Sequence, residues 1–197
     1  MGRARTVEDE DILKAARLAF LDRGQLATTR EIAEAAGISQ AVLYQRFGSK
    51  DDLFFAAMAP PPPDLDGLLG DPPRAPEETE AYLADVAERL YRYFETVAPL
   101  FVQLATHTAF RADHLADAHQ PMMESGLVGA LGIRLGDLAQ KGRIRSGDGS
   151  AMAGLLISVV HGEALSAALL KTPPDGERRR ETIRLLWRGL SPTGTSE

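Results

Sequence analysis

An all-α fold is what this 197-residue sequence predicts, and three observations predict it. Apolar residues recur at three- and four-residue spacing along nearly the whole chain, strand-like alternation is almost absent, and glycines, prolines and cap residues fall at the ends of the periodic runs. The 44% hydrophobic and 25% charged content suits one or two small domains with a proper core. The absence of cysteine excludes disulfides, thiolate metal sites and a cysteine nucleophile, and fits a reducing, cytoplasmic setting.

The first helix is expected after Thr6 as N-cap, with the acids Glu8 to Asp11 favouring its positive end. Ile12, Ala16, Ala19 and Phe20 mark one face, and Gly24 ends it. Thr28-Thr29-Arg30-Glu31 fits a capping box that opens a second helix carrying Ile32, Ala33 and Ala36. Gly37 suits the left-handed position of a tight turn. Ser39 caps a third helix to about Phe47, with Leu43, Phe47 and Val42 toward the core. Ser49-Lys50-Asp51-Asp52 repeats the cap pattern and opens a fourth helix to about Ala59. Residues 1–59 thus form an N-terminal helical domain.

Residues 60–76 hold seven of the twelve prolines and read as an extended linker or loop. Residues 77–190 form a larger helical domain. Its first helix runs to Ala98, and Pro99 either kinks it or opens the next, which carries Phe101 and Leu104. Another helix opens at Pro121 and runs to about Lys141. Asp148 caps the apolar run Ala151 to Leu170, which is long enough to span a membrane. His161 and Glu163 within it favour a buried helix of a soluble protein. A last helix ends near Gly189, and residues 191–197 read as a disordered tail. The N-terminus lacks the apolar core of a signal peptide.

The net charge of −6 argues against indiscriminate nucleic-acid binding. Charge is local, however: residues 35–50 contain Arg46 and Lys50 and no acid, so a field favourable to phosphate can exist there. Two short helices joined by the Ala36-Gly37-Ile38 turn form a helix-turn-helix candidate. Ser39, Gln40, Ala41, Tyr44, Gln45 and Arg46 are left outside the core. Gln40 suits an adenine edge and Ala41 a thymine methyl. The Tyr44 hydroxyl suits a phosphate, Lys50 adds charge, and the capped start of the second helix at Thr28, Thr29 and Arg30 points toward a phosphate. By this motif alone, the unit fits equally a small three-helix core with a polar outside.

The order of residues adds to this reading. The run I12-L13-x-A15-A16-x-x-x-F20-x-x-x-G24, then T28-x-x-E31-I32-A33-x-x-A36-G37-I38-S39-x-x-x-L43-Y44-x-x-F47-x-S49-K50-x-x-L53, resembles the TetR family of bacterial transcriptional regulators. The resemblance covers about the first 54 residues. It implies a helix-turn-helix DNA-binding domain followed by a helical effector-binding and dimerisation domain. Its functional implication is a ligand-responsive homodimer on a palindromic operator, a repressor or alternatively an activator, without cofactor or catalysis. Gln25 departs from the aromatic usual after the glycine, the loop to Thr28 is one residue short, and Arg46 replaces a usual His or Tyr.

Gly154, Ser158, Gly162 and Ser166 form a small-residue stripe, and Ile183, Leu186, Trp187 and Leu190 an apolar seam. Together they suit a four-helix dimer interface, or packing within one monomer. The family's middle helices enclose a small-molecule pocket. The candidates here are Phe94, Phe101, Leu104, His107, Phe110, Met122 and Met123, which also suit plain core. Scattered acids point to an apolar or weakly polar effector. His107, Asp113, His114, Asp117 and His119 invite a metal-dependent or enzymatic alternative. His107 and His114 share a face only if the helix persists, and the one-turn spacing of metal ligands is missing. The Arg178 to Arg180 run suits a second anionic site or, with Glu177 and Glu181 nearby, a solvated face.

Overall fold

The computed structural model describes residues 7–111, 126–173 and 175–190. Every regular element among them is helical. The order is α1 (Asp9–Arg23), α2 (Thr29–Ala36), α3 (Gln40–Phe47), α4 (Lys50–Met58), α5 (Leu65–Leu69), α6 (Thr79–Thr106), α7 (Leu127–Gln140), α8 (Gly149–Leu170) and α9 (Gly176–Leu190), with 3₁₀ turns at Gly24–Leu26 and Pro76–Glu78. The chain divides into two compact units, residues 1–60 with 99–118 and residues 61–98 with 119–197.

The first unit is built on α1 to α4. Ile12, Ala16 and Phe20 from α1, Ile32 and Ala33 from α2, Leu43 from α3, and Leu53, Phe54, Ala57 and Met58 from α4 are all buried. The Phe20 and Phe54 rings meet edge to face at 5.0 Å, a favoured aromatic geometry. Arg17 donates from Nε to the Ala57 carbonyl at 2.7 Å and from Nη2 to the Ala59 carbonyl at 3.1 Å. These are last-turn carbonyls of α4 that have no helical partner of their own. The N-cap of α1 is Glu8 rather than Thr6, and Thr6 lies outside the described residues.

The second unit packs α5, the first part of α6, and α7 to α9. Its core includes Leu83, Val86, Leu90 and Phe94 of α6, Leu131, Leu135 and Leu138 of α7, Leu156 and Val160 of α8, and Ile183 of α9. The close approach of α7 and α8 depends on glycine. A Cβ on Gly149 would stand 2.3 Å from the Gly132 carbonyl oxygen, and one on Gly132 would stand 3.2 Å from Ser150 Cα.

Four expectations need correction. The 60–76 segment is not simply extended: its proline-free centre, capped by Asp64, forms α5, and Leu68 and Leu69 are buried. Arg89 holds this helix by donating to the Leu68 carbonyl at 2.8 Å and the Leu69 carbonyl at 3.3 Å. Pro99 does not open a new helix: α6 runs through it to Thr106. Arg179 is not solvated. It is 6% exposed, lies 3.0 Å from carboxylate oxygens of both Glu88 and Glu163, and its guanidinium sits 3.5 Å above the Tyr91 ring. Burial pushes the Glu163 carboxyl up, and Arg179 opposes that shift. Glu163 of the long apolar helix, half-buried, thus has a paired cation. Finally, Ile183 is buried against its own unit, with Leu186 and Trp187 packed beside it. Ile183 is thus satisfied within one chain, while Leu186, Trp187 and Leu190 stay half-buried. By contrast, Gly154 and Gly162 of the stripe face open space, Ser158 and Ser166 are accessible, and Leu155, Leu169 and Leu170 are exposed. The start expected at Pro121 and the tail 191–197 lie outside the described residues.

Candidate nucleic-acid interface

The site is built by three caps and one anchor. Thr28 accepts from the Glu31 N–H at 3.2 Å, and Glu31 Oε2 accepts from the Thr28 N–H at 2.9 Å. The box fixes the start of α2, with the Thr28 hydroxyl also donating to Glu31 at 2.9 Å. The Thr28 backbone and side-chain donors, with Arg23, hold the Glu31 carboxyl below its usual range. Gly37 adopts φ 71°, the left-handed geometry that ends α2, where a residue with a Cβ is strained. Ser39 accepts from the Val42 N–H at 3.2 Å and starts α3. Ser49 and Asp52 form a second capping box at the start of α4.

Within α3, Leu43 alone is buried, while Val42 and Phe47 are half-buried rather than fully in the core. Ala36 is likewise half-buried. Ser39, Gln40, Ala41, Tyr44, Gln45 and Arg46 are exposed together on an eight-residue helix. At 1.5 Å per residue it is about 12 Å long, which matches the width of a major groove.

The polar groups are not equally available. Thr29, expected at the surface, is 5% exposed. Its hydroxyl oxygen accepts from Gln40 Nε2 at 2.7 Å and lies 3.1 Å from the Tyr44 hydroxyl, so it joins the start of α2 to the outer face of α3. Arg30 pairs with Glu34 at 3.0 Å, both widely exposed. Such a pair is weak and leaves Arg30 able to exchange partners. Arg46 donates from Nη1 to the Val7 carbonyl at 2.6 Å and to Asp9 at 2.9 Å, which ties α3 to the start of α1. Lys50 donates to the Gln25 carbonyl at 2.6 Å. An ammonium has three N–H groups, so this contact orients Lys50 without exhausting it. The short loop after α1 is absorbed by the 3₁₀ turn Gly24–Leu26, which buries Ala27 and exposes Leu26.

The remaining candidates lie elsewhere. Phe94, Phe101, Leu104 and His107 are buried, and Phe110 is half-buried after the end of α6. Met122 and Met123 lie outside the described residues. So do Asp113, His114, Asp117 and His119 of the metal alternative. Since α6 ends at Thr106, His107 lies just beyond it. His107 instead stacks on Phe54 at 4.2 Å, accepts from the Ala109 N–H at Nδ1, and places Nε2 3.6 Å from Asp51. Among the described residues, no group of three metal-ligating side chains is assembled. The inward pairing of Thr29 and the anchoring of Arg46 were missed in the sequence, because both depend on residues far apart along the chain.

Comparison with known proteins adds the following. The family described as "Bacterial regulatory proteins, tetR family" matches residues 12–57. The HTH-type transcriptional regulator NfxB of Pseudomonas aeruginosa is 47% identical over 45 residues, which span 23% of this chain and 24% of NfxB. This match therefore covers only about a quarter of that relative. A Mesorhizobium loti chain assigned to the TetR family of transcriptional regulators superposes with a TM-score of 0.68 at 20% identity, over 93% of this chain and 96% of that one. A TetR transcription regulator from Haloarcula marismortui gives a TM-score of 0.67 at 18% identity, over 92% and 97%. At such identities these two likenesses concern the fold.

Proposed function

Because residues 12–57 match the tetR family of bacterial regulatory proteins, we propose that this chain is a cytoplasmic, homodimeric transcriptional repressor that binds a palindromic operator through α3 and is released by a small-molecule effector. The observation that carries the reading is the outer face of α3. Gln40, Ala41, Tyr44 and Gln45 stand exposed on a capped helix of groove width, with no acid from residue 35 to residue 50. A surface that is only the outside of a three-helix core has no need of a helix face that carries no acid of its own.

In this reading, Gln40 and Ala41 face base edges, and Tyr44, Lys50, Arg30 and the start of α2 at Thr28 face phosphates. Ser39, Gln45 and Arg46 flank the contact, with Arg46 acting mainly through its hold on α1. The open stripe Gly154, Ser158, Gly162 and Ser166, with exposed Leu169 and Leu170 beside it, is the face a second copy covers. The seam residues Leu186, Trp187 and Leu190 contribute where α9 is still accessible. The effector is apolar or weakly polar. It favours a conformer whose two reading helices are wrongly spaced, which weakens operator binding by a coupling free energy.

Selection of duplexes from a random pool by the purified chain tests the proposal. A palindrome with half-sites about one helical turn apart is expected. A pool that remains random after repeated rounds refutes it.

A further inference from the structure

The buried Thr29 hydroxyl is where two of the exposed polar side chains of α3, Gln40 and Tyr44, meet. Gln40 Nε2 lies 2.7 Å from Thr29 Oγ1, and the Tyr44 hydroxyl lies 3.1 Å from the same atom. A hydroxyl has one proton to give and two lone pairs to accept with. Thr29 can therefore donate to Tyr44 or to Gln40, but not to both.

The choice has consequences at each end. A Tyr44 hydroxyl that donates to a phosphate oxygen has only acceptor capacity left toward Thr29, because a phosphate diester has no proton to offer. Thr29 must then donate to Tyr44, which leaves it only acceptor capacity toward Gln40. The Gln40 amide must turn an N–H inward, which is the orientation found here. Its outward edge then offers one N–H beside the carbonyl oxygen. That pair complements adenine, whose major-groove edge has an acceptor at N7 and a donor at N6. The reversed amide would place its oxygen on Thr29 and present only donors outward. Donors suit guanine, whose N7 and O6 both accept.

We infer that Thr29 is a positioning residue that fixes the base preference of Gln40, and that the phosphate contact of Tyr44 and the adenine preference of Gln40 are coupled through the single Thr29 proton. The inference rests on the reading of α3 as the DNA-reading helix. It goes beyond that reading by predicting that a tyrosine touching no base alters which base is chosen.

The test is fluorescence anisotropy with the duplex that wild type recovers from a random pool, and with duplexes in which each adenine of a half-site is changed in turn to guanine. Wild type discriminates at the position facing Gln40 by roughly five- to 150-fold, the range of a good bidentate base contact. Gln40→Ala identifies that position by abolishing discrimination there alone. Thr29→Val and Tyr44→Phe bring discrimination at that position toward unity and leave the other positions unchanged, whereas Thr29→Ser keeps it. Should Thr29→Val not fold, Tyr44→Phe decides, since Tyr44 is 41% exposed and the core is left intact. Wild-type discrimination retained in Tyr44→Phe and in any folded Thr29→Val overturns the coupling, as does a Gln40→Ala variant that changes no position. Failure of wild type to recover any duplex is a different result, which removes the DNA-reading premise itself.

Discussion

Replacing Leu43 with alanine tests how α3 is held. Leu43 is fully buried and is the only buried residue of that helix. The substitution removes three carbons from a closed site, worth about 2.4 kcal/mol at ~0.8 kcal/mol per methylene. The cavity left behind adds to this, for a total of about 3–4 kcal/mol. The first unit is small enough that each kcal/mol lowers the melting midpoint by about 4–8 °C. A circular dichroism or calorimetric melt should therefore show a fall of at least about 10 °C in the transition of that unit. Gln45→Ala, two residues on and exposed, should stay within about 0.5 kcal/mol of wild type. A Leu43→Ala midpoint within about 2 °C of wild type would mean that the caps and the Arg46 to Asp9 pair carry α3 without the leucine.

Further outcomes follow from the same geometry. Thr28→Ala and Ser49→Ala each remove the hydroxyl half of a capping box and should each cost about 1 kcal/mol in denaturant melts. Gly149→Ala forces a methyl toward the Gly132 carbonyl and should destabilise by about 1–3 kcal/mol, whereas Gly162→Ala, which faces open space, should not destabilise the fold. Gly162→Glu should turn a dimer into a monomer in analytical ultracentrifugation while its helicity is retained, if the stripe is the face covered by a second copy. The Glu31 carboxyl titrates below its ordinary range in the folded chain, so its contribution is present above that range and lost as pH falls through the lower folded value. Acid melts of Glu31→Gln should lack this component.

What was legible in the sequence was local. Caps, turn glycines and apolar spacing are decided within a few residues. The Thr28 box, Gly37, the Ser39 cap and the Ser49 start therefore stand where their residue types placed them. The Asp148 cap of the long apolar helix does too. What was not legible depends on partners distant in the chain. Whether Arg179 is solvated is settled by Glu88 and Glu163, which lie on two other helices. The inward turn of Thr29 depends on Gln40 and Tyr44 across the turn, and the tether of Arg46 on Val7 and Asp9. Pro99 was ambiguous because one missing hydrogen bond is tolerable in a 28-residue helix whose flanking residues Val97, Ala98, Leu100 and Phe101 are buried.

The central claim is that the exposed face of α3 reads DNA. The most direct measurement is a duplex selection run in parallel with wild type and with a variant in which Gln40, Tyr44 and Gln45 are all alanine. None of the three is part of the core, so the variant should stay folded with the same helicity. Wild type is predicted to enrich one palindromic sequence, and the folded variant to lose that sequence. Enrichment of the same palindrome by the variant would contradict the account and place base reading on another surface.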